Sequence, residues 1–115
     1  MDPRLEKLAS LGCDMPSAIE RCVDDEEFLI ENIVFFMDDE SFSQLKEALD
    51  AKDLAKAFDA AHALKGVSAN LGLTTLFNAI VAIVEPLRHK EEADYASLYL
   101  EIMKKKEEVS SIIHS

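Results

Sequence analysis

Between Asp24 and Asp50 the apolar residues Phe28, Leu29, Ile33, Phe36, Met37, Phe42, Leu45 and Leu49 recur at three- and four-residue intervals. That is the period of one helix face. The polar run Asp38-Asp39-Glu40-Ser41 interrupts the stripe, and Asp and Ser are residues that cap new helices, so the segment reads as one kinked helix or as two. Asp50-Ala51-Lys52-Asp53 is a polar turn in which Asp53 is placed to cap a further helix. This helix should stop at Gly72, which suits the left-handed position beyond a helix end. Thr74 or Thr75 then starts a segment whose Leu76, Phe77, Ile80, Val81, Ile83, Val84 and Leu87 occupy much of its circumference, predicting deep burial. Pro86 lacks the amide proton that a helix interior uses, so this helix is expected to end or kink near Glu85. Beyond the link His89-Lys90-Glu91-Glu92, the residues Tyr95, Leu98, Ile102, Val109 and Ile112 predict a last helix, with Lys104-Lys105-Lys106 facing outward. Ahead of all this, Asp2-Pro3 and Asp14-Met15-Pro16-Ser17 each read as the start of a short helix, the first stopping near Gly12. The expected fold is all-α: an antiparallel up-down four-helix bundle carrying one or two short N-terminal helices, a single domain over residues 1–115.

Composition narrows the function more than the fold. Only three glycines and three prolines punctuate 115 residues, which favours helices over a turn-rich β architecture. A net charge of −11 argues against a nucleic-acid binder or a protein that docks on anionic lipid, since both rely on exposed Lys and Arg. Cys13 and Cys22 are the only cysteines and form no CxxC motif, so two reduced thiols are expected rather than a disulfide framework or a zinc site. There is no apolar run of bilayer length and no signal-peptide pattern at the N-terminus, and the expected location is the cytoplasm.

The candidate chemistry lies on the helix that ends at Gly72. At about 100° per residue, Leu71, Leu64, Ala60 and Val67 cluster around one direction and His62 points away from it, toward water. Lys65 falls about 60° from the imidazole and Gly66 about 40° away. A glycine inside a helix costs roughly 1 kcal/mol relative to Ala, a cost that makes sense where another molecule must approach the backbone. Ala55 and Ala69, about 20° from the His62 direction, are also small, and Phe58, about 40° off, adds an apolar patch. With Asp59, these residues describe a docking face around one reactive atom. An imidazole in water titrates near pH ~6.5 and so offers a neutral nitrogen nucleophile at physiological pH. Lys65 supplies a cation one turn away that can neutralise and orient an anionic group on the ring. Ser68, about 120° from His62, is expected to bond to backbone rather than to a group on the ring.

The stretch His62-Ala63-Leu64-Lys65-Gly66-Val67-Ser68-Ala69-Asn70-Leu71-Gly72 resembles the HxxKGxSxxxG signature of histidine-containing phosphotransfer (HPt) domains. The likeness extends to Phe35-Phe36 before Asp38-Asp39-Glu40, to the Ala51-Lys52-Asp53 turn and to Val84-Glu85. It implies a relay in which His62 is phosphorylated at Nε2 with Lys65 and Gly66 in support. The implied partners are receiver domains of response regulators and hybrid histidine kinases, whose own aspartate and bound Mg²⁺ do the catalytic work. The chain would then be a monomeric phosphoryl carrier without cofactor or kinase activity of its own; no Gly-rich phosphate loop is present. Two positions depart from the family pattern: Pro86, and Val84, where some members carry a polar residue.

Other readings of the same residues are weaker. A non-catalytic adaptor that binds receivers without phosphoryl turnover is the alternative from a different class. Asp59 and His62 share the three-residue spacing of helical metal ligands, but a metal-binding bundle needs inward carboxylates from other helices, and the apolar Leu76–Leu87 segment offers only Glu85. His89 and His114 fall in a polar link and at the tail, where solvated side chains are the norm. Phe35 and Phe36 are expected to be core rather than docking residues, because one of two adjacent helical positions always turns inward.

Overall fold

The computed structural model describes residues 1–115 as seven α-helices with no strand: α1 (Pro3–Leu11), α2 (Met15–Arg21), α3 (Glu26–Met37), α4 (Ser41–Asp50), α5 (Leu54–Asn70), α6 (Thr74–Arg88) and α7 (Tyr95–Ile113). Short links at 51–53 and 71–73 reverse the chain between α4, α5 and α6, and 89–94 turns it into α7. Each of these helices packs on the next, while α3 and α1 both lie against α7. The result is an elongated up-down bundle, 42 × 23 × 21 Å, with the two short N-terminal helices added to it.

Aspartates start most of the helices. The side chains of Asp2, Asp14, Asp25, Asp53 and Asp94 accept hydrogen bonds from the backbone amides of Arg4, Ser17, Phe28, Lys56 and Ser97 respectively, satisfying donors that the first turn leaves unpaired. The stretch from Asp24 to Asp50 is two helices rather than one kinked one. Asp38 ends α3, and the Asp39 carboxylate accepts from the Ser41 amide at 2.8 Å, which fixes the restart.

Three expectations are corrected. Pro86 neither ends nor breaks α6, which continues to Arg88. The ring removes the hydrogen bond to the Ala82 carbonyl four residues back, and Ala82 is exposed, so water can donate to that carbonyl in place of the missing amide. Phe35 is not core. Phe36 is buried at 2% exposure, but its neighbour is 82% exposed, because adjacent helical positions point about 100° apart and only one can face inward. Finally, the three lysines of α7 do not all face outward. The Lys106 ammonium lies 5.2 Å from the centre of the Phe42 ring, and Lys105 sits between Glu101 and Glu108 at 3.8 and 3.6 Å.

One apolar cluster of 29 buried residues draws on every helix, from Leu5 and Leu8 of α1 to Ile113 of α7. Gly72 joins the N-terminal pair to the bundle. Its φ of +68° closes α5 in a Schellman arrangement, with the Gly72 amide donating to the Ala69 carbonyl and the Leu73 amide to that of Ser68. The Gly72 carbonyl in turn accepts from the Asp14 amide at 2.8 Å. Arg21 completes the junction by donating to the carbonyls of Asn70 and Ala69 at 2.9 and 3.1 Å, at the end of α5.

Candidate functional site

Helix α5 is buried along Ala57, Ala60, Ala61, Leu64 and Ser68. This stripe is rotated about 40° from the direction expected, toward Ser68 and away from Val67, which is 37% exposed. Small residues explain the rotation: Ala57, Ala60 and Ala61 let the neighbouring helices approach where a larger side chain would hold them off. Ser68, fully buried, donates its hydroxyl proton to the Lys65 carbonyl at 3.0 Å, the backbone partner expected of it.

His62 is exposed, as are Ala55, Asp59, Gly66 and Ala69, while Phe58 and Lys65 are half-buried. These seven residues occupy one face of one helix. A Cβ built on Gly66 meets nothing within 4 Å, so the backbone beside the imidazole lies open to an approaching surface. Lys65 has no carboxylate within ion-pair distance, leaving its ammonium without a partner of its own. On one flank of the ring, a groove of about 500 Å³ between α4 and α5 is lined by Gln44, Glu47, Lys56, Asp59 and Ala63 among others. On the other flank the Phe58 ring lies against the imidazole, with centroids 5.5 Å apart and planes inclined at 34°. No three His, Cys, Asp or Glu side chains converge anywhere in the chain, so Asp59 and His62 have no further ligands to complete a metal site.

A residue that the sequence reading does not single out joins this flank. The Arg88 guanidinium stacks over Phe58, its Cζ 5.3 Å from the ring centroid, and approaches the Glu85 carboxylate at 3.9 Å. Its position follows from the persistence of α6 past Pro86. The proline forfeits one backbone bond, and the burial of Leu87 beyond it carries the helix on, a packing contact that the sequence does not display. Val84, where a polar residue occurs in some HPt domains, is fully buried and has no access to the imidazole face.

The chain is thus an up-down helical bundle that displays one imidazole on an exposed helix face, beside a cation and a bare stretch of backbone. The Hpt domain family model matches residues 37–104, from the end of α3 into α7, and the chain belongs to this family. Hpt domains carry out histidine phosphotransfer in two-component signalling and interact with receiver domains. No curated protein and no solved structure gives a significant match. No helix of the chain is long and apolar enough to cross a membrane.

Proposed function

We propose that the chain is a phosphoryl carrier that accepts a phosphoryl group on His62 from one receiver aspartate and passes it to another. The observation that carries this reading is the placement of His62: an exposed imidazole on α5 with Lys65 one turn away and open backbone at Gly66, in a chain of the Hpt family. In the forward step the lone pair of one ring nitrogen, Nε2 by resemblance to the family, attacks phosphorus. An N–P bond forms, the acyl P–O bond breaks, and its electron pair leaves on the receiver's carboxylate. The other ring nitrogen carries the proton, and the resulting imidazolium can release it to water. Lys65 neutralises part of the phosphoryl charge. The Mg²⁺ that offsets charge on the acyl phosphate belongs to the receiver, so this chain brings no cofactor. The transfer is reversible because a phosphoramidate and an acyl phosphate are both reactive linkages.

Ala55, Phe58, Asp59 and Ala69 form the surface on which receivers of response regulators and hybrid kinases dock, with the carrier acting as a monomer. Both cysteines are free and buried, which suits a reducing compartment, and we place the protein in the cytoplasm. The test is to mix the protein with a receiver domain phosphorylated by acetyl phosphate. Acid-labile label should appear on this chain and be absent in His62→Gln; label that persists in the variant rejects the site. Receiver binding without any transfer would make the chain a non-catalytic adaptor instead.

A further inference from the structure

Phe58 bridges two polar groups from different helices. Its ring meets the His62 imidazole at 5.5 Å between centroids and the Arg88 guanidinium at 5.3 Å from Cζ to centroid. The guanidinium therefore stands no farther from the imidazole centre than these two distances laid end to end, within the swing of an arginine side chain. What holds it there is weak. Its partner carboxylate, Glu85, is 3.9 Å away, and the two side chains are 41% and 54% exposed, so the ion pair is screened by water. The cation–π contact with Phe58 is modest at such an exposed position.

Helix geometry puts the relevant groups on one side. Viewed down α5, Phe58 and Lys65 lie about 40° and 60° from His62 in the same rotational sense, one turn before it and one turn after. Asp59 and Gly66 lie in the opposite sense, toward the groove with α4. Arg88 reaches Phe58 from α6, so it comes in on the Lys65 side, and the imidazole has an ammonium toward one end of the helix and a guanidinium toward the other. A phosphoryl group on the ring carries close to two negative charges and three acceptor oxygens. A guanidinium matches such oxygens with two parallel N–H donors, a stronger attachment than a single screened carboxylate or an aromatic face.

We infer that Arg88 is a second phosphoryl-binding residue, resting on Phe58 and Glu85 while His62 is unmodified and moving onto the phosphoryl oxygens once the N–P bond exists. This rests on His62 being the phosphorylated residue. Arg88 makes and breaks no covalent bond: it keeps its proton throughout, exchanges one set of contacts for another, and returns Glu85 to water. By favouring the dianion it lowers the pH at which the phosphoryl group takes up its proton.

Phosphoramidate, which transfers its phosphoryl group to imidazole and leaves as ammonia, provides the modified protein for ³¹P NMR. In Arg88→Met the phosphohistidine should titrate at a midpoint higher by roughly 0.5 pH unit than in the unaltered protein, with Arg88→Lys in between. Lys104→Met removes a charge from exposed α7 and should leave the midpoint where it was. In the unaltered protein the Arg88 side-chain protons, shifted by the Phe58 ring current, should move on phosphorylation. Equal midpoints in the Arg88→Met and Lys104→Met proteins, or an Arg88 signal that does not respond, would overturn the inference while leaving the relay intact. If neither phosphoramidate nor a phosphorylated receiver labels His62, the relay reading itself fails and this inference falls with it.

Discussion

Gly66 and Gly72 lie six residues apart and meet opposite conditions. A Cβ at Gly66 would touch nothing within 4 Å, whereas at Gly72 it would collide with the Asp14 carbonyl oxygen and come within 2.9 Å of the Ala18 Cβ, at a backbone φ of +68° that already disfavours side chains. Gly66→Ala should therefore stabilise the fold by up to about 1 kcal/mol, the usual helix-interior difference. The same methyl would obstruct a docking receiver, and transfer should slow by roughly tenfold, since small misplacements of reacting groups cost that much or more. Gly72→Ala should lose more than about 2 kcal/mol through left-handed strain and the displaced junction with α2. Urea titrations of both variants with a parallel transfer assay check this; wild-type transfer rates in Gly66→Ala would remove the reason offered for a mid-helix glycine. The distinction between the two glycines was legible in the sequence as position, one inside a helical period and one at its end. Their surroundings were not, because the Asp14 and Ala18 contacts join residues more than fifty positions apart. The same limit applies to Arg88, whose contact with Phe58 crosses between helices.

At the scale of elements, the starts of helices were read more reliably than their ends. Asp2, Asp14 and Asp53 are local signals that act within three residues. The end of α6 was misjudged because the cost of a proline depends on where the helix stops, which packing decides: Leu87 is 1% exposed, and burying it carries the helix past Pro86. Pro86→Ala should restore a bond to the Ala82 carbonyl and raise stability by about 1 kcal/mol after the loss of unfolded-state restriction is counted. A lower denaturation midpoint would instead mean that the pyrrolidine ring is a packing element. The contact of α7 with α4 gives a second test. The Tyr99 hydroxyl donates to the Phe42 carbonyl at 3.1 Å, and burial pushes the phenol's pKa up, with Asp50 adding to this and Lys46 opposing it. The folded state thus holds the proton more tightly than the unfolded chain, whose phenol titrates near pH ~10. This contribution is complete below that pH and is lost as pH rises toward the folded value. Tyr99→Phe should cost about 1 kcal/mol at neutral pH and flatten the alkaline decline in stability. Burial also raises the Tyr95 phenol, so replacing both tyrosines should flatten the decline further than Tyr99→Phe alone.

For the whole molecule the open issue is whether α1 and α2 are an appendage or part of the folding unit. The family match begins at residue 37, which leaves both outside it. Their side chains argue for inclusion: Leu5, Leu8, Met15 and Ala18 are fully buried, and they belong to the same apolar cluster as Leu64, Ile80 and Ile102. At about 2 kcal/mol for each of the three large residues, their burial is worth about 6 kcal/mol, comparable with the entire net stability of about 5–15 kcal/mol typical of a domain. The hydrogen bonds of Arg21 and Asp14 to the end of α5 extend the dependence to the helix that carries His62. A chain starting at Asp24 should accordingly lose its cooperative unfolding transition, not merely shift it. Cys13 provides the probe in the intact protein, because its thiol is buried and burial pushes its pKa up, so alkylation requires opening. With Cys22→Ser as background, Cys13 labelling and loss of helical circular dichroism should follow the same urea curve. Labelling that runs to completion while the helical signal is still native would show that the N-terminal pair opens on its own, and α5 would then have to hold His62 in place without it.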